Sequence, residues 1–325
     1  MQPHRRIVLR TLAATALLAG LSLGSIAAIA ADPVYTVAKQ GSAGYRTVQA
    51  AIDAAVQGGK RAQITIGAGV YQELVVVPSN APALKLIGAG ATQTVITYDN
   101  YASRINPATG KEYGTSGSSS VIIAGNDFTA EQLSFGNHAG PVGQAVAVRV
   151  DGDRAAFRNV RFLGYQDTLY LRNPKLSYFL DCYVEGTVDF IFGGGTALFE
   201  NAQLHSLGDG YLTAASTPQE SARGFVFRNA RITAASGVSR VFLGRPWRPY
   251  ASVSFISSQL GAHVPAEGWN NWGNTANEAT ARYSEYQSTG AGANPSRRVK
   301  WSRQLSAAQA AALDRNTILG TWRPF

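Results

Sequence analysis

The sequence holds one cysteine, Cys182, which excludes an intrachain disulfide. Four histidines (His4, His138, His205 and His263) beside that lone thiol cannot assemble a cysteine-rich zinc site, and neither a metal nor a cofactor is expected. Charge is scarce as well. Only 15% of residues are charged against 45% hydrophobic, too apolar a balance for a disordered chain. Extended helical periodicity is also missing, while 34 glycines and 13 prolines punctuate the chain into short segments. At 325 residues the length allows about two ordinary domains or one large all-β or α/β domain.

Residues 1–30 read as an export signal. Arg5, Arg6 and Arg10 precede an uncharged stretch from Thr11 to Ala31, and Ala28-Ile29-Ala30 supplies the small-residue cleavage triplet, so cleavage is expected before Ala31. An uncleaved membrane anchor is the alternative, and Arg5-Arg6 leaves both the general and the twin-arginine export routes open. Without those three arginines the remainder carries 26 basic and 20 acidic residues, a balance of +6. A basic secreted protein favours acidic partners. The scattered Lys and Arg form no nucleic-acid module, which leaves an extracellular acidic polysaccharide as the better fit.

A six-residue pattern, apolar at its first and last positions, recurs through the chain. Its copies begin at Phe128, Phe157, Phe179, Phe199, Phe227 and Phe255, and Gly-rich connections follow them. Such units are short strands separated by turns. Six copies in one register suggest an all-β solenoid, a single parallel β-helix from residue 31 to 325, over a β-sandwich, which has no need of a shared register. The ends differ. Tyr45–Val56 places Val48, Ile52, Ala55 and Val56 at helical spacing, and Ser306–Leu313 begins with a Ser N-cap, so each predicts a short capping helix.

Asp167 and Asp189 each stand ten residues after a repeat phenylalanine. Equivalent positions on successive coils lie about 4.8 Å apart, so the register predicts two adjacent carboxylates. Carboxylates that close do not both ionise easily near neutral pH, and the pair can offer one nucleophile or base beside one protonated acid. Asp209 stands at the same offset from Phe199, which leaves open a plain acidic ladder; its Gly208-Asp209-Gly210 setting reads more simply as a turn. Gln144 and Gln166 can donate amide hydrogens to an oxyanion if they converge on the pair.

These segments resemble the pectin methylesterases. The likeness rests on Gly69-Val70-Tyr71-Gln72-Glu73, the Gln144 segment, Gly164–Tyr170, Asp189-Phe190-Ile191-Phe192-Gly193 and Leu243-Gly244-Arg245-Pro246-Trp247, in family order from about residue 35 to the end. The resemblance implies a secreted right-handed parallel β-helix that removes methyl groups from methyl-esterified polygalacturonate. It assigns Asp189 as nucleophile, Asp167 as general acid and then base, and Gln144 and Gln166 as oxyanion donors. Arg245 would hold Asp189 and a sugar acid, with its charge lowering the Asp189 pKa; Trp247 would stack on a galacturonate ring and Thr115 would add a contact. Plant cell-wall pectin is then the expected partner of a monomer that engages neither nucleic acid nor, after cleavage, a membrane. No inhibitory pro-domain or lipid anchor is expected. Gly114–Ser120 and Asn270–Asn277 read as groove-lining loops, and Cys182 as a buried strand residue. A related esterase acting on another ester, or a non-catalytic polysaccharide-binding β-helix, would share much of this pattern.

Overall fold

The third residue of five of the six repeats turns the chain. Asn159, Asp181, Asn201, Asn229 and Ser257 hold φ between 51° and 55°, the left-handed region that Asn and Asp tolerate best because their short polar side chains bond locally. Each ends a strand of one sheet and begins a strand of the next, so every coil bends at the same point. The computed structural model, which describes residue 1, residues 31–172 and residues 174–325, shows the result as a right-handed parallel β-helix with three strand faces. Residues 2–30 of the expected signal segment lie outside the described residues.

The first face is an 11-stranded sheet from Val34–Val37 to Arg303–Gln304. The second face carries Thr94–Tyr98, Ser134–Asn137 and Arg161–Leu163, and the third carries Val121–Ile123, Val148–Val150 and Leu169–Leu171. Two long strands, Tyr183–Gly193 and Gln203–Ala215, bend across the corner and belong to both. Asp32–Phe325 pack as one unit.

Phe157, Phe179, Phe199, Phe227 and Phe255 are register mates whose rings stack through the interior at centroid spacings of 4.2 to 4.9 Å. Phe128 does not join them. Ala130 is the mate of Phe157, so the first copy of the pattern is offset by two residues and Phe128 packs beside the ladder, tilted, at 6.0 Å. Removing the central ring, Phe199→Ala, is expected to cost about 3–5 kcal/mol in denaturant unfolding, since neighbours stacked on both sides cannot collapse into the space. A loss under about 1 kcal/mol would contradict a tightly packed ladder.

Helix Val48–Gly58 closes the first coil, burying Val48, Ala51, Ile52 and Ala55 in the interior core. Its first-turn N–H groups donate to the Glu73 carboxylate, from Val48 at 2.9 Å and Gln49 at 3.0 Å. The Gly69–Glu73 motif is thus an anionic helix cap well suited to the positive end of the helix dipole. At the other end Ser306 and Gln309 form a capping box on helix Ala307–Ala311, and an unforeseen second helix, Arg315–Leu319, follows. Both lie on the outer side of the first face, against Ala156, Tyr178, Leu198 and Val226. Cys182 is buried at the corner after Asp181, just ahead of the strand in which it was expected.

Candidate active site

Arg149, Tyr170, Phe192, Ala214 and Arg245 are register mates on successive strands of the third face and form one outward row. Tyr170 and Phe192 stack at 4.3 Å, and the Trp247 ring meets them at 6.5 and 6.1 Å, giving an aromatic wall. Gly244 lets this part of the chain approach the preceding coil. A Cβ there would collide with Thr213 Oγ1, which donates to Leu243 O at 2.9 Å.

Asp167 and Asp189 each precede by two residues the paired Leu169 and Ile191, Asp167 in the turn ahead of its strand and Asp189 within Tyr183–Gly193, so the two carboxylates stand on adjacent coils as the repeat predicts. Both residues have positive φ, 68° and 53°, and the ladder slips register on either side of Val188. The slip and the positive φ take Asp189 off the regular alternation of its strand, the positive φ turns Asp167 ahead of its own, and both side chains line the cleft. The pair lies at the floor of a cleft of about 600 Å³, with Asp167 7% and Asp189 5% exposed. Gln144 and Gln166, bridge partners of each other, line the same cleft, as do Thr115, Arg245 and Trp247. The expected loops contribute Thr115 and Trp272 to its lining.

Asp209 does not extend the pair into a ladder. The slip pairs Val188 with Tyr211 and leaves Asp209 exposed, where it accepts the backbone N–H groups of Ser239 at 2.8 Å and Arg240 at 2.9 Å. It serves the corner, as the turn reading has it.

Arg245 grips one member of the pair. Its Nε donates to Asp189 Oδ1 at 2.9 Å and its Nη2 to Oδ2 at 2.7 Å, a bidentate geometry that fixes the carboxylate plane. Its guanidinium carbon lies 3.9 Å from the Tyr211 ring centroid and 3.6 Å from that of Trp272, so the cation is sandwiched between two aromatic faces. Sequence reasoning missed both rings. Extending the register one more coil reaches Tyr211, two residues before the Thr213 that pairs with Ile191, whereas Trp272 arrives from a loop that no repeat describes.

The electrostatics divide the carboxyls. Burial, followed by the charge of Asp189, pushes the Asp167 carboxyl up to about 8, against a smaller opposing pull from Arg245. Burial also raises Asp189, although the Arg245 hydrogen bonds and charge oppose it. The expected lowering of Asp189 is therefore corrected: desolvation outweighs the ion pair. Asp189 nonetheless holds the cation through two direct bonds and Asp167 holds none, so Asp167 is the member that keeps a proton at neutral pH. Burial pushes the Cys182 thiol up to about 12, which makes it inert at the same pH. Among the described residues no three His, Cys, Asp or Glu side chains converge as a metal site.

The pectinesterase family model matches residues 34–319. The chain belongs to the pectinesterase family. It is 43% identical over 276 residues to pectinesterase 31 of Arabidopsis thaliana, covering 83% of this chain and 86% of the relative. A probable pectinesterase/pectinesterase inhibitor of Brassica napus is 37% identical over 90% of this chain, which spans about half (51%) of that longer relative. The solved pectin methylesterase from carrot superposes with a TM-score of 0.82 at 32% identity, over 89% of this chain and 93% of the carrot protein. Family membership makes the protein an ester-hydrolysing enzyme, and the parallel β-helix expected of a pectinesterase is the fold observed.

Proposed function

We propose that the cleft hydrolyses the methyl esters of polygalacturonate, with Asp189 as nucleophile and Asp167 as general acid and then base. One observation carries this reading: two adjacent buried carboxyls, only one of them clamped by an arginine, at the floor of an aromatic cleft. An Asp189 oxygen attacks the ester carbonyl carbon, and the Gln144 and Gln166 amides donate to the oxyanion that forms. Asp167 gives its proton to the departing methoxy oxygen, and methanol leaves an anhydride between Asp189 and the galacturonate carbonyl. Asp167, now ionised, takes a proton from water as the water attacks that carbonyl; the Asp189 carboxylate is expelled and Asp167 is protonated again. Arg245 Nη1, which makes no bond to Asp189, is the group left to meet a neighbouring sugar carboxylate.

Trp247 supplies the stacking surface for a sugar ring, with Thr115 lining the same cleft. Trp247→Ala is expected to raise KM about tenfold with kcat nearly unchanged, and a fall confined to kcat would remove Trp247 from substrate binding. The basic balance of the chain suits a polyanionic substrate. The first thirty residues act as an export signal, and residues 31–325 work outside the cell as a monomer free of the membrane. A substrate panel tests the function: methanol release from high-methyl pectin should far exceed release from low-methyl pectin, with no hydrolysis of small acyl esters or thioesters. Preference for an acyl ester or thioester would assign the same carboxylates to another ester.

A further inference from the structure

Arg245 fixes the plane of the Asp189 carboxylate, and the following coil braces the segment that carries Arg245 from its other side. Leu243 N–H donates to Gly268 O at 2.8 Å, Asn270 N–H to Gly244 O at 3.1 Å, and Asn277 Nδ2 to Pro246 O at 3.2 Å. The segment 268–277 is thereby tied along the strand that carries the arginine. Within it Trp272 has φ 63°, a conformation that bulky side chains avoid. Local bonds hold it there: Asn270 Oδ1 accepts the Trp272 N–H at 2.8 Å, Asn271 Oδ1 accepts the Gly273 N–H at 2.9 Å, and Glu278 Oε1 accepts from Asn271 Nδ2 at 2.7 Å. The strained turn places the indole 3.6 Å from the guanidinium carbon, opposite Tyr211, while leaving Trp272 37% exposed. More than a third of this large aromatic stays in water, so packing alone is a poor return for a strained backbone, and the strained turn that presents it points to a further role.

We infer that Trp272 is a positioning residue: it holds the guanidinium of Arg245 flat, and through it keeps the Asp189 carboxylate aligned for attack. The inference rests on Asp189 being the nucleophile and adds a residue that touches neither reacting atom. A planar cation closed between two rings has one orientation, and with it Asp189 has one; with a single ring, the arginine and its carboxylate sample others. Misalignment of a nucleophile lowers the rate of the chemical step and leaves substrate affinity largely intact.

The experiment is steady-state methanol release from high-methyl pectin by residues 31–325, Trp272→Ala, Trp272→Phe, Arg245→Lys, and the Arg245→Lys/Trp272→Ala double variant, each with its unfolding midpoint. Trp272→Ala is expected to lower kcat about tenfold or more with KM within about twofold, and Trp272→Phe to recover most of the loss. Lysine has no plane to stack, so the double variant should be no slower than Arg245→Lys alone. If Trp272→Ala does not fold, Trp272→Leu, apolar but without a π face, replaces it. A rise in KM with kcat unchanged would make Trp272 a surface for the sugar and overturn the inference, as would additive losses in the double variant. A parent that releases no methanol overturns the proposed function instead, so the two failures are distinct.

Discussion

Asp189→Asn is expected to lower kcat for methanol release by about 10⁴-fold, with the fold and binding of pectin retained. The amide keeps the shape of the side chain and removes the charge that attacks the ester, so no covalent intermediate can form. Arg245 stays partly buried beside it with one acceptor where it had two, and the oxyanion donors remain. Residual activity should therefore be that of a bound ester exposed to water. Pectin binding by sedimentation or calorimetry should survive within a few-fold. A variant within about tenfold of the parent would remove Asp189 from the chemical step.

Asp167 carries the second large effect, and it is tied to pH. The acid step needs its proton, so kcat/KM should fall as pH rises past about 8, where the Asp167 carboxyl loses it. On the acid side activity falls as Asp189 gains a proton, with that limb moved upward because burial raises this group too, against the pull of Arg245. The two limbs belong to the pair as a unit, giving a bell-shaped profile. Asp167→Asn is expected to lower kcat by between about 10² and 10⁴-fold and to abolish the alkaline limb of what remains. It also carries a stability signature. Because the folded state holds this proton up to about 8 whereas the unfolded chain releases it near the ordinary carboxylate value, the parent loses stability as pH rises between those values. Asn never ionises, so the unfolding midpoint of Asp167→Asn should exceed that of the parent above pH 8 and converge with it near pH 4. A midpoint difference independent of pH would contradict the raised pKa.

The solenoid and the carboxylate pair were legible for one reason. Phe157 and Phe179 are 22 residues apart, Asp167 and Asp189 are too, and a constant coil length turns sequence spacing into spatial adjacency. Where coil length or pleat changes, the reading fails. Phe128 was placed in the ladder because its hexapeptide looks alike, but the register mate is Ala130. Asp209 kept the ten-residue offset from Phe199, yet the slip at Val188 moved the next coil by two positions and brought Tyr211 to the site instead. Trp272 belongs to a loop outside the repeat, so no periodicity announces it, and the direction of the Asp189 shift depends on a degree of burial that motifs do not encode. Ser306 showed the cap of the first C-terminal helix in sequence, but neither the second helix nor the docking of both along the outer side of the first face was legible, since Tyr178, Leu198 and Val226 read equally well as strand residues facing solvent.

The division of labour in the pair requires that at neutral pH Asp167 holds a proton beside an Asp189 that does not. Carbon-13 NMR titration of carboxyl-labelled aspartates in residues 31–325 measures this without any substrate. One carboxyl should titrate near 8, vanish in Asp167→Asn, and move down in Asp189→Asn, where the neighbouring negative charge is gone. If every aspartate carboxyl of the folded protein titrated below about 5, the division of labour between the two would be wrong.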